Sequence, residues 1–366
     1  MAKRRGRSVL LAVILLCAMV AGARGGRQKH LIEMGWDEPD PAFMRQHVAE
    51  LEATPFDGVV YNITYAKQGG GTGRFTWEVW GRHAFTEADL APALADLEAT
   101  PFRRFQYNFL RFNVTPADLD WFDDFGAVVS NARLAASVAR RGGSKGIAFD
   151  SEHYMGDLFD YPKQRDAATR SWEAYAAQAR RRGREVMEAF QAGYPDLTVF
   201  LLCGYSLPYA QTADDHKPLR DCTYGLYAPF LDGMVDAARG GTRLVDGYEL
   251  SYGERDTARF AAHYRRMKHD ALAVVADPAK YRRVFSFGFG IRIDQRNPKW
   301  LGWYPDSLKG NYFAPEAFGR VVRKALETAD DYVWIYGEAP RWWTPEGRPK
   351  DLPEVYDRAL RAARGR

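Results

Sequence analysis

Near the middle of the chain a short apolar run, Gly146-Ile147-Ala148-Phe149, ends in Asp150-Ser151-Glu152. Residues two apart on a strand project to the same side, so Asp150 and Glu152 are expected to face one common space. Two carboxylates sharing a space resist ionising together. With no Lys or Arg directly beside them in sequence, one should keep its proton to unusually high pH. Such a pair suits reactions that need an acid and a base or nucleophile at once. A Gly142-Gly143-Ser144-Lys145 turn precedes the run and a polar segment follows it. That context marks a buried parallel strand with a wet C-terminal end, where α/β enzymes place their chemistry.

Other strand-like runs end in polar residues too. They offer Glu33 and Asp37, Asn62, Arg111 and Asn113, Asp246 and Glu249, Arg292 and Asp294, and Glu338. Carboxylates gathered from several strands around one mouth suit hydrolysis of glycosidic bonds. Glu152 is expected as general acid with Asp150 beside it, and Glu249 or Glu338 as nucleophile or base. Glu33, Asn62, Arg111, Asn113, Tyr248, Arg292 and Asp294 are expected to bind substrate. Trp77, Trp80, Trp300, Trp303, Trp342 and Trp343 fall between strands and helices. Indoles pack against the C–H faces of sugars, and Trp303, Trp342 and Trp343 are expected to do so here.

Each residue has a plainer reading. Asp150 and Glu152 would serve structure if paired with Arg111 or Arg292, and Glu338 if it braces Arg341. His153 faces away from the pair. A metal site built from Asp150, Glu152 and His153 is a further alternative, but no His or Cys pair has metal-ligand spacing and His30 stands alone, so neither metal nor cofactor is expected.

The elements that must position these residues follow from a repeat. Leu51-Glu52-Ala53-Thr54-Pro55-Phe56 recurs as Leu97-Glu98-Ala99-Thr100-Pro101-Phe102. Each copy closes a helical pattern, stops it at proline, and leads into a strand. Repeating helix-then-strand units imply parallel strands with right-handed crossovers. Strands are expected near 30–36, 58–64, 104–112, 145–150, 197–204, 243–251, 285–292 and 331–337. Helices are expected near 41–53, 87–99, 117–141, 167–193, 224–239, 256–275, 314–329 and 352–364. Eight such units make a single-domain (β/α)8 TIM barrel, with the long loops 65–86, 151–166, 205–223 and 293–313 on its C-terminal face.

The start of the chain stands apart. Lys3, Arg4, Arg5 and Arg7 precede an apolar Val9 to Val20, and Ala21-Gly22-Ala23 follows, the pattern of a secretory signal peptide over 1–23. The domain is then 24–366, secreted or exported, with no membrane attachment after cleavage; an uncleaved anchor is the alternative. The segment 1–23 carries four of the 51 basic residues and none of the 47 acidic ones. The two signs balance in what remains, so nothing suggests nucleic acid or an anionic surface. Nor does anything point to a protein partner. Cys203 and Cys222 are left in the domain, either as a disulfide or as buried thiols.

In architecture the chain resembles TIM-barrel glycoside hydrolases, and locally the chitinase-like enzymes of the family 18 type. Their fourth strand ends in Asp-x-Asp-x-Glu, where the final Glu donates the proton. Asp150-Ser151-Glu152 matches its last Asp-x-Glu, while Ala148 stands where the first Asp belongs. Tyr248-Glu249 parallels the Tyr-Asp pair of their sixth strand, and Trp334 or Trp342 the Trp of their eighth. The resemblance implies a carbohydrate substrate, Glu152 as proton donor, and Asp150 assisting an N-acetyl group. Two alternatives to a glycoside hydrolase stay open: a non-catalytic carbohydrate-binding barrel and a metal-dependent hydrolase.

Overall fold

The structure, a computed structural model, describes residues 28–36, 38–295, 302–343 and 352–365. The expected leader 1–23, Asp37 and Trp300 lie outside them. In chain order the strands are β1 (His30–Gly35), β2 (Gly58–Tyr61), the hairpin β3 (Thr64–Ala66) and β4 (Thr72–Arg74), β5 (Phe109–Asn113), β6 (Gly146–Asp150), β7 (Thr198–Leu201), β8 (Arg243–Asp246), β9 (Phe285–Phe287), β10 (Phe289–Arg292) and β11 (Tyr332–Gly337). All but the hairpin form one parallel sheet, ordered β10-β11-β1-β2-β5-β6-β7-β8-β9. β9 and β10 are halves of one run broken at Gly288, whose N–H bonds to the Asp246 carbonyl at 2.8 Å. β9 pairs with β8 and β10 with β11, so the nine strands occupy eight positions of a ring. This is the (β/α)8 TIM barrel.

Alternation sorts each strand between two cores. Ile32, Met34, Val60, Ala148, Leu202 and Val245 point inward. Their neighbours Leu31, Val59, Ile147, Leu201 and Leu244 pack outward under the helices. Burial on both faces is why the strands read as unbroken apolar runs. Phe109, Phe200 and Tyr332 plug the barrel, with ring centroids 5.5 to 5.9 Å apart. Trp334 lies one inward position further along β11 and donates its indole N–H to the Gly247 carbonyl at 2.7 Å. It fits because residue 290 has no side chain: a Cβ there would stand 2.7 Å from the indole.

Helices surround the ring, among them Glu87–Glu98, Gly126–Arg141, Trp172–Gly193, Tyr227–Ala237, Arg259–Lys268, Pro315–Thr328 and Glu354–Ala363. Several boundaries differ from the sequence expectation. The segment 41–53 forms two short helices, Pro41–Gln46 and Val48–Ala53. β5 starts at Phe109 and not at 104, because the Glu52 carboxylate accepts the N–H groups of Arg103, Arg104 and Phe105 at 2.5, 2.6 and 3.3 Å. Those donors are occupied before a ladder can use them. The helix expected from 117 begins at Gly126, since Asp120 and Asp123 accept backbone N–H groups of Phe122 and Asp120 at 3.0 and 3.1 Å and hold a loop instead.

Among the described residues no helix is long and apolar enough to cross a membrane. Cys203 and Cys222 are both buried free thiols, which decides the open disulfide question in favour of the thiols.

Candidate active site

The sixth strand position creates the site by ending early. β8 stops at Asp246, whose carboxylate faces outward and accepts from the Ser206 hydroxyl at 2.8 Å and the Tyr248 N–H at 3.1 Å. Tyr248 then takes the left-handed conformation, φ 47°, and the chain turns into a single 3₁₀ turn, Glu249–Ser251. The turn changes which residues face the mouth. Tyr248 is sent into the outer core, where its hydroxyl meets His263 Nδ1 at 3.1 Å and its ring packs on Phe289. Glu249 is left over the barrel opening.

There a cavity of about 220 Å³ lies at the C-terminal end of the barrel, lined by Glu152, Glu249, Glu338, Arg292, Trp36, Met34, Leu202, Tyr154, Tyr252 and Tyr336. Tyr252 and Tyr336 stack at 5.4 Å on one side. Trp36, 45 % exposed, stacks on Trp77 at 5.8 Å on another. Three carboxylates and an arginine thus meet among aromatic walls.

The three carboxylates have different surroundings. Glu338 is ion-paired with Arg292, and Arg292 also reaches Asp294 at 3.3 Å. Asp294 in turn accepts the N–H groups of Glu338 and Ala339 at 3.0 and 2.8 Å. Glu249 has no hydrogen-bond or ion-pair partner for its carboxylate among the described residues. Burial, and then the negative charges of Asp150 and Glu152, push it up to about 8, against the pull of Arg292 and Arg111. Glu152 is more open to solvent. It too is raised above the usual carboxylate range by burial and by Asp150, with a hydrogen bond from Tyr154 opposing.

Asp150 belongs to a layer beneath. Its register partner across β5 is Asn113, and Arg111 stands opposite Ala148, so Arg111, Asn113 and Asp150 share the inner face. Arg111 donates to Asp150 at 2.5 Å and to Asn113 Oδ1 at 2.6 Å, and it is ion-paired with Glu38. Tyr154 closes the group by donating to Asp150 at 3.1 Å, and Trp77 covers the guanidinium at 4.9 Å. No cation adjoins Asp150 in sequence; the neighbouring strand supplies Arg111, the partner named in the plainer, structural reading of Asp150. Asn62 lies at the mouth near Glu38, donating to its carbonyl at 2.8 Å. His153 faces away, stacked on Tyr224 at 4.3 Å, and burial lowers it to about 4, which leaves it neutral.

Several expected site residues stand elsewhere. Glu33 pairs in register with Ile335 and Val59, which face the outer core, so it is turned from the cavity. Trp342 and Trp343 are almost wholly buried, Trp342 edge-on to Phe56. Trp80 sits among Phe112, Phe125, Phe149 and Phe230. Trp303 packs on Tyr356 at 5.1 Å. None of these four indoles lines the cavity. Conversely, Trp36, Glu38, Tyr154, Tyr252 and Tyr336 were not singled out. Tyr336 carried a signal, standing two residues after Trp334 and two before Glu338 on one strand run. Among the described residues no cluster of three or more His, Cys, Asp or Glu is arranged to hold a metal ion.

No family model matches the chain, and no curated protein matches it. Among solved structures it is similar to a glucosidase from Croceicoccus marinus, 10 % identical, over 94 % of this chain and 69 % of that one, with TM-score 0.47. It is also similar to a 3-keto-D-glucoside 4-epimerase from E. coli, 13 % identical over 93 % and 100 % with TM-score 0.43. A GH10 xylanase from Thermobacillus composti is 11 % identical over 90 % and 96 %, with TM-score 0.42.

Proposed function

We propose that this chain is a glycoside hydrolase, exported by its N-terminal segment, that binds one sugar ring in the cavity at the barrel mouth. The observation that carries the reading is the pairing of Glu249 with Glu152. Both line one aromatic-walled cavity, and Glu249 keeps its proton through neutral pH because burial and two nearby carboxylates oppose its ionisation. A carboxyl group with no internal partner is a proton donor waiting for an acceptor from outside.

In this reading Glu249 gives its proton to the glycosidic oxygen as the bond from that oxygen to the anomeric carbon breaks. Ionised Glu152 forms the new bond to that carbon, or removes a proton from the water that does. These roles reverse those suggested by the sequence, where Glu152 was the acid; the deeper burial of Glu249 is the reason. Arg292 and Glu338, tied to each other and to Asp294, position the ring and supply the opposing charge. Asp150, held in its ion pair with Arg111, still lends negative charge to Glu152 and Glu249 and does not meet the sugar. Tyr252, Tyr336 and Trp36 offer apolar faces to its C–H surfaces.

The test is hydrolysis of aryl glycosides and polysaccharides by the full chain and by Glu249→Gln and Glu152→Gln. Turnover lost by both variants, with sugar binding kept, supports the reading. Turnover that survives Glu249→Gln removes the acid assigned here. Binding without turnover in the unaltered protein points to the carbohydrate-binding alternative.

A further inference from the structure

A second cavity, of about 230 Å³, opens beside the first. One ion-pair cluster separates them. Tyr154, which lines the first cavity, contacts Arg111 at 3.1 Å, and Glu38, at the other end of that guanidinium, lines the second. The second cavity is also bounded by Asp40, Phe43, Asn62, Thr64, Arg74 and Trp343.

Its polar groups are unevenly satisfied. Asn62 is only 6 % exposed. Its amide N–H bonds to the Glu38 carbonyl, but its Oδ1 is buried with no partner among the described residues. The indole N–H of Trp343 is likewise buried without one among the described residues. The Arg74 guanidinium has no hydrogen-bond or ion-pair partner among the described residues. Buried polar atoms are ordinarily paired, and here a buried acceptor, Asn62 Oδ1, and a buried donor, the Trp343 indole N–H, border the same space, with the exposed Arg74 guanidinium beside them. A group with hydroxyls satisfies both kinds, because each hydroxyl donates once and accepts twice. Charge argues against an anion: Glu38, Asp40 and Asp150 outnumber Arg74 and Arg111 around the cavity. The ring of Phe43 supplies an apolar surface for C–H groups.

We infer that this cavity is a second sugar subsite, so that the protein takes a neutral oligosaccharide across the Glu38–Arg111 wall and not a single-sugar glycoside. The inference rests on the hydrolase reading for its substrate class, but not for its test. The decisive variants are Arg74→Ala, at an exposed position, and Asn62→Leu, with thermal melts to verify folding. The readout is the ratio of kcat/KM for a trisaccharide to that for the aryl glycoside of the same sugar, using glucose, xylose and N-acetylglucosamine series. The ratio is expected to fall about tenfold in both variants, the scale of one hydrogen-bonding group worth roughly 1.4 kcal/mol. A ratio unchanged in Arg74→Ala overturns the subsite. If the unaltered chain hydrolyses nothing, the hydrolase reading fails separately, and calorimetric affinities for single sugars, disaccharides and trisaccharides decide. An affinity that rises with length, and loses that rise in Arg74→Ala, keeps the subsite; an affinity that does not rise with length, or no binding, removes it.

Discussion

Arg111 and Asp150 meet at 2.5 Å with side chains 3 % and 1 % exposed, directly beneath the cavity that holds Glu152 and Glu249. The pair is the electrostatic base of the mouth. Arg111 also neutralises Glu38, so one cation serves two buried carboxylates. Arg111→Met leaves both uncompensated and is expected to lower stability by about 3–5 kcal/mol. Arg111→Lys keeps the charge but loses the fork that reaches two partners, and is expected to lose less. Urea unfolding of the two variants checks the order; equal stability of Arg111→Met and the unaltered protein would discard this role.

Glu249 sets a pH dependence whose sign is fixed. Its folded-state value of about 8 lies above the ordinary 4.5, so between those limits the folded chain binds the proton more strongly than the unfolded chain does. Stability from this group therefore falls as pH rises from about 4.5 to about 8, and is level above that. Glu249→Gln removes the fall, so the variant gains on the unaltered protein as pH rises through that window. In the proposed reading the same proton is the catalytic one, so activity is expected to decline above about pH 8. Glu249→Gln is expected to lower kcat by about 10²–10⁴-fold. A melting series across pH in which both proteins keep a constant difference would contradict the assignment.

The barrel was legible because its signals are local. The repeat at Leu51 and Leu97, the proline stops and the apolar strand runs each follow from short-range physics. The mouth was legible only where a strand continued straight to its end. Asp150, Arg111 and Arg292 sit at such ends, and simple alternation puts them on the inner face where the register has them. Tyr248 was not, because a left-handed residue after β8 shifts the alternation by one, a change no local pattern signals. Glu33 failed differently, since the parity of β1 had to be set by its partners Val59 and Ile335. Trp342 and Trp343 read as exposed because they follow a strand, yet their burial depends on Phe56 and other distant residues.

Two tryptophans that look alike in sequence are expected to separate cleanly by experiment. Trp342 is 2 % exposed and edge-on to Phe56, so Trp342→Ala is expected to cost about 3–5 kcal/mol of stability. Trp36 is 45 % exposed over the cavity. Trp36→Ala is expected to change stability by only about 0.5 kcal/mol while weakening sugar binding by about 1 kcal/mol. Thermal unfolding and sugar titration on both variants check this. A Trp36 variant that melts early and binds normally would show that its indole supports the fold and not the ligand.

Arg292 gives the most specific forecast, because two effects of its removal act in one direction. Its charge pulls Glu249 and Glu152 downward, and it occupies Glu338 and Asp294. In Arg292→Met that pull disappears and the negative charges of Glu338 and Asp294 are no longer offset. Both changes favour the protonated form of Glu249, so the alkaline limb of the kcat/KM profile is expected to move to higher pH, by about one unit. The acid limb, which the proposed reading assigns to Glu152, is expected to move the same way, so the whole profile shifts without changing its shape. A structural brace would lower the profile at every pH without displacing it. A profile that moves to lower pH would mean that Arg292 does not act on Glu249.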